Sequence, residues 1–220
     1  INNHIKKKTY RKNNLLAYIS QYNPNYEGRV FNIKNKNVSF FNFIKKTDMY
    51  VLPFLQNYSI KNKKELVIIP NSQKKDILSR KKETNYFKII LNSNFRFLEF
   101  NSNYTSYLAT DYSSVTVTID STLGYEALSR KNRVAFFSVR GNFVGFKDLN
   151  KFGWPTIFDD NGLFWTNKCN YNKFKIILNT LYTIKSEEWY SELKRVSINN
   201  IIVKKNNKLF LRFIKNKKKS

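Results

Sequence analysis

Histidine and cysteine are almost missing from this 220-residue chain, which has one of each, His4 and Cys169. A lone cysteine excludes an internal disulfide and fits a reducing compartment. With one histidine near the chain start, neither a His/Cys zinc site nor a Ser-His-Asp triad is expected. Acid–base chemistry would fall to Asp, Glu, Tyr or Lys. No run of about 18 apolar residues occurs, so no membrane span is expected. No signal-peptide pattern is recognisable either. The chain opens on Ile1 rather than Met, and a fragment or processed product is expected.

Acidic residues are scarce. There are 15, against 40 lysines and arginines, for a net charge of +25. One reading is a polyanionic partner, either nucleic acid or an anionic membrane surface. The other is coding bias in an A+T-rich genome, since Asn, Ile, Phe and Tyr are also abundant. Clustering at the ends favours the first. Residues 1–13, with Lys6, Lys7, Lys8, Arg11 and Lys12, read as a basic linker. Residues 196–220 read as a basic tail. There Leu209, Phe210, Phe213 and Ile214 share a helical face among basic residues, a pattern that lies on anionic lipid. A solvated tail is the plainer reading.

Between these ends, residues 14–195 read as one domain. A hydrophobic content of 41%, with 16% aromatics, is enough for a substantial core. Strands are expected at 15–20, 65–70, 95–100, 115–119 and 134–138. Helical spacing is expected over 38–58, 74–91, 104–110 and 172–184, with another helix from Ser186. Residues 139–170 read as a long loop with at most one short strand, and loops of that length are usually functional. Strands alternating with helices argue for an α/β fold, a Rossmann-like parallel sheet with helices on both faces.

The most informative stretch is Val115 to Leu128. The run Val115, Val117, Ile119 suits a buried strand, and Asp120, Ser121 and Thr122 carry oxygens able to cap the following helix. At the carboxyl end of a parallel sheet such a turn can hold a phosphate. Glu126, one turn further in, would accept hydrogen bonds from ribose or sugar hydroxyls. The competing reading is a capped helix whose acid is favoured by the dipole. Ser20, Gln21 and Tyr22 follow the first strand and would face the same cleft, or form an ordinary loop. Arg140 follows the fifth strand and would pair with a diphosphate, or lie on the surface. Asp159 and Asp160 could bind a cation or a sugar but read first as a turn, and Trp154 and Trp165 read as core before platforms for a sugar or base.

Asp-Ser-Thr-Leu-Gly-Tyr-Glu-Ala-Leu (120–128), followed by Arg-Val-Ala-Phe-Phe-Ser-Val-Arg (133–140), resembles the C-terminal domain of bacterial surface-polysaccharide glycosyltransferases of the two-Rossmann-domain (GT-B) type. The resemblance is to an O-antigen biosynthesis family. Leu-Leu-Ala-Tyr-Ile-Ser-Gln-Tyr (15–22), Lys-Phe-Gly-Trp-Pro (151–155), Gly-Leu-Phe-Trp (162–165) and Ser-Glu-Glu-Trp (186–189) match in consistent order, so the likeness spans about residues 14 to 195.

The resemblance implies a nucleotide-sugar donor held by this domain. Ser121, Thr122 and Gly124 would lie at the phosphate-side turn, with Glu126 on donor hydroxyls. It also implies a lipid-linked glycan acceptor, a missing N-terminal domain that supplies the catalytic base, and a cytoplasmic enzyme on the inner face of the plasma membrane. No cofactor or metal is demanded, because backbone N–H groups, the helix dipole and basic side chains can stabilise a leaving diphosphate. The catalytic residue itself stays unassigned. Two rivals are a nucleotide-sugar epimerase of the same architecture and a basic nucleic-acid-binding module. The second needs exposed aromatics interleaved with basic residues, whereas most aromatics here fall on apolar stripes.

Overall fold

The computed structural model describes residues 14–146, 148, 150–153 and 158–197. The basic linker, Trp154 and the basic tail from residue 198 lie outside the described residues. Eight strands and seven α-helices are described. The strands are β1 (Leu15–Ile19), β2 (Val30–Ile33), β3 (Lys36–Ser39), β4 (Glu65–Ile69), β5 (Arg96–Phe97), β6 (Val115–Thr118), β7 (Val134–Phe137) and β8 (Trp165–Thr166). The helices are α1 (Lys46–Lys61), α2 (Ile77–Leu91), α3 (Thr105–Tyr112), α4 (Thr122–Ser129), α5 (Arg140–Val144), α6 (Tyr171–Thr183) and α7 (Ser186–Ser197).

Six strands form one parallel sheet in the order β5-β4-β1-β6-β7-β8. The expected α/β, Rossmann-like sheet is thus observed. Its central strands are buried on both faces because helices cover both. Leu16, Tyr18, Val115 and Val117 pack with α1, α2 and α6, whereas Leu15, Ala17 and Ile19 pack with Ala109 of α3 and Leu123 of α4. The ring of Phe137 stacks on Phe174 of α6, with centroids 3.9 Å apart. Gly124 lets α4 lie close on the sheet: a Cβ there would meet Thr118 Cγ2 at 2.6 Å and Phe136 Cζ at 3.1 Å. Arg133 donates to the carbonyls of Leu181 and Ile184, at 3.1 and 2.7 Å, at the end of α6, where free carbonyls and the negative end of the dipole favour a cation.

Two segments depart from the sequence reading. The helix expected from residue 38 starts later. Before it lies an antiparallel hairpin, β2 and β3, turned by Lys34 and Asn35 at φ 48° and 63°. Both central residues of such a tight turn need positive φ, and the sequence offers no glycine there as a signal. A wide π-helical turn, Phe41–Lys45, then feeds α1. The long loop after β7 also contains the short helix α5, and β8 pairs with β7 as a sixth strand.

Candidate functional site

Counted along the parallel sheet alone, the strand order is 3-2-1-4-5-6, and it reverses between β1 and β6. At such a reversal the connections leave to opposite sides and open a crevice beyond the carboxyl ends. Ser20 and Gln21 leave β1 there, Asp120 and Ser121 leave β6, and Arg140 opens α5 just beyond β7.

Ser121 caps α4. Its Oγ accepts from the Leu123 amide at 3.3 Å, and its own amide donates to Thr118 Oγ1 at 3.1 Å. Thr122 is the first residue of the helix and is exposed. Gly124 is buried against the sheet, where the absence of a Cβ allows close packing.

Asp120 is the hub of the crevice. It accepts from Arg140 Nε at 2.7 Å and Nη2 at 2.9 Å, from Gln21 Nε2 at 2.6 Å and from Asn150 Nδ2 at 2.5 Å. Burial alone would raise its carboxyl. The Arg140 charge and the hydrogen bonds from Arg140, Gln21 and Asn150 outweigh burial and hold it below the ordinary value.

Arg140 is 1% exposed. Besides Asp120 it serves Gln21 Oε1 at 2.7 Å and the Phe43 carbonyl at 2.8 Å, and it lies over the Phe43 ring. Its guanidinium is therefore turned inward, and a diphosphate reaching it would displace these partners. Below it is a second carboxylate, Asp48, 2% exposed, which accepts from the hydroxyls of Tyr18 and Tyr86, each at 2.6 Å. Burial raises Asp48, against the opposing pull of those two hydrogen bonds and of Arg140.

Ser20 and Tyr22 also face inward. Ser20 Oγ donates to Glu83 Oε1 at 2.5 Å. The Tyr22 ring, 1% exposed, stacks on Tyr86 and its hydroxyl donates to Glu27 at 2.6 Å. Gln21 is the residue of the three that remains in the crevice.

Glu126 is half-buried and accepts from the Tyr107 hydroxyl at 2.8 Å. One turn on, Arg130 pairs with Asp111. Tyr107 and Asp111 are four apart on α3, as Glu126 of α4 and Arg130 at its C-cap are, so two rungs tie these helices together.

Trp165 is core, stacked on Phe152 with its Nε1 donating to the Asp159 carbonyl at 3.0 Å. Asp160 pairs with Lys151 and Lys168. Among the described residues no three His, Cys, Asp or Glu side chains gather in a way that could hold a metal ion. No described helix is long and apolar enough to cross a membrane.

Sequence reasoning missed Asp48, Glu83, Tyr107 and Asn150. Two of them leave a signal: Asp48 and Glu83 each fall on the apolar stripe of a helix, where an acid is buried and must find donors. Two cavities flank this edge of the sheet. One, of about 410 Å³, is polar and runs along the loops after β1 and β4, past Asn23, Asn71, Ser72 and Lys75. The other, of about 330 Å³, is mostly apolar and lies under the β2–β3 hairpin against Phe40 and Tyr86.

No curated protein and no solved structure matches the chain. One family model does match, over residues 1–218, so the chain belongs to the family described as putative O-antigen biosynthesis protein.

Proposed function

We propose that this chain is the nucleotide-sugar-binding domain of a glycosyltransferase of the two-Rossmann-domain type, acting in O-antigen biosynthesis. The observation that carries the reading is the reversal of strand order between β1 and β6, with the capped start of α4 at its mouth. The diphosphate of the donor would lie at that helix start, against the backbone around Ser121 and Thr122. Arg140 would act at one remove, by holding Asp120 and Gln21 in place. Glu126 would take donor hydroxyls. Its Oε2 accepts from the Tyr107 hydroxyl, and a carboxylate has further lone pairs to offer a ribose or sugar hydroxyl of the donor. The acceptor would be a lipid-linked glycan, held mostly by an N-terminal domain that supplies the catalytic base.

Calorimetry with nucleoside diphosphates on the chain and on Glu126→Gln tests this. A charge-assisted hydrogen bond contributes about 1.5–3 kcal/mol, so the variant should bind roughly ten- to a hundredfold more weakly. Equal affinities with a small drop in melting temperature would reduce Glu126 to a tie between α3 and α4. No binding of any nucleoside diphosphate by the unaltered chain would overturn the reading as a whole.

A further inference from the structure

The N-terminal half of α2 carries an outward face that its fold does not use. Glu83, Tyr86, Phe87 and Leu91 turn inward and are buried. On the opposite side Ile77 is 79% exposed and Leu78 66%. Lys81 and Lys82 follow each of them by four residues, so each lysine lies beside an aliphatic on the same helical face. Lys74 and Lys75 precede the helix, and all four lysines are exposed. Asp76 is the acid exposed in this stretch, and its Oδ1 is engaged by the Ser79 amide at 3.0 Å as the helix cap.

We infer that this face docks the domain on an anionic lipid bilayer. Two solvent-facing aliphatics ringed by cations of one sign suit the boundary between headgroups and acyl chains: the aliphatics enter it and the lysines stay with the phosphates. A single-stranded nucleic acid would be met instead by aromatic rings on which bases stack, and Ile77 and Leu78 offer none; a duplex would engage the lysines through its phosphates but leave the two aliphatics in water. The polar cavity that Lys75 lines adjoins the patch and has room for headgroups. The start of α2 lies at the same sheet edge as the β1/β6 crevice, so docking here would bring that crevice to the membrane surface. The inference rests on the patch and is independent of the donor-binding reading and of the basic tail at 196–220.

The test uses the full chain with Cys169→Ser and Leu78→Cys, labelled with an environment-sensitive fluorophore. The control carries the label at Ile176→Cys on α6, where the native side chain is 56% exposed. Each is mixed with phosphatidylglycerol/phosphatidylcholine vesicles, with phosphatidylcholine vesicles and with duplex DNA. The expected result is a blue shift at position 78 with the anionic vesicles, quenched by brominated acyl chains, and no such change at 176. In the unlabelled chain, Ile77→Ser with Leu78→Ser should weaken vesicle binding about tenfold or more. A silent probe at 78 on a chain that still sediments with vesicles would overturn the inference and leave docking to charge elsewhere. A shift with DNA but not with vesicles would overturn it equally.

Discussion

Arg140 and Asp120 meet beyond the carboxyl ends of β7 and β6, with Nε on Oδ2 at 2.7 Å and Nη2 on Oδ1 at 2.9 Å. Their side chains are 2% and 13% exposed. The pair closes the floor of the crevice from one side, while Gln21 reaches both partners from β1. Three strand ends are thereby held in one arrangement by a single guanidinium.

Removing that guanidinium should be costly. Arg140→Met leaves Asp120 charged and largely buried, and breaking a buried pair from one side costs about 3–5 kcal/mol. Arg140→Lys keeps the charge, but a compact ammonium cannot serve Asp120, Gln21 and the Phe43 carbonyl together. An intermediate loss is expected. Urea unfolding of the three proteins at neutral pH measures it, and equal midpoints for Arg140 and Met would show the pair to be energetically idle.

The two carboxylates of this cluster should give stability opposite pH dependences. Asp120 is lowered in the fold. Its contribution is complete above the unfolded value of about 3.9 and is lost as pH falls through the lower folded value. Asp48 is raised in the fold. Its contribution is complete below the unfolded value and is lost as pH rises through the raised folded value. Asp48→Asn should therefore remove a decline in stability on the alkaline side of the ordinary carboxylate range. Asp120→Asn should remove part of the acid-side loss. Unfolding free energies between about pH 3 and pH 8 report both slopes, and a variant whose slope matches the parent's would refute the corresponding assignment.

Gly124 should not tolerate a methyl group. Alanine is the better helix former by about 0.5–1 kcal/mol. Its Cβ, however, would sit 2.6 Å from Thr118 Cγ2, and overpacking of this kind costs about 1–3 kcal/mol. The clash should win. Thr118→Ser removes Cγ2 and keeps the hydroxyl that accepts from the Ser121 amide. The double variant Gly124→Ala with Thr118→Ser should recover most of the lost melting temperature, and failure to recover would place the strain elsewhere.

Local pattern reveals the strands, and long-range partnership stays hidden. The β-branched runs at 65–69 and 115–118 mark buried strands directly, and Phe174, Ile177, Leu178 and Leu181 mark the buried stripe of α6. The turn at 120–126 is legible because cap and helix are neighbours in sequence. The hairpin is not, since Lys34 and Asn35 carry no glycine. Nor is the inward turn of Arg140, whose partners Gln21, Phe43 and Asp120 come from three distant segments. An arginine after a strand looks the same in sequence whether it awaits a phosphate or locks a loop.

Glu83 offers the sharpest test of how the crevice edge is held. It is fully buried on α2. Its Oε1 accepts from Ser20 Oγ at 2.5 Å and from the Asn71 amide at 2.9 Å, and its Oε2 accepts from the Ser72 amide at 3.0 Å and from Ser72 Oγ. A carboxylate suits this place because both of its oxygens only accept. Glutamine is nearly isosteric, but its NH2 group would face donors. Turned one way it opposes the Ser72 amide, turned the other way the Asn71 amide, and in either case a backbone N–H is left unpaired. A buried donor without a partner costs about 1–3 kcal/mol. Glu83→Gln should therefore destabilise the protein by at least that amount. Ser72→Ala removes one hydroxyl and leaves both backbone bonds in place, so it should cost less. Hydrogen exchange locates the effect: the amides of Asn71 and Ser72 should exchange faster in Glu83→Gln, while those of β6 keep their protection relative to global unfolding. If those two amides stay as protected as in the parent, Glu83 does not hold the loop after β4 at the edge of the crevice.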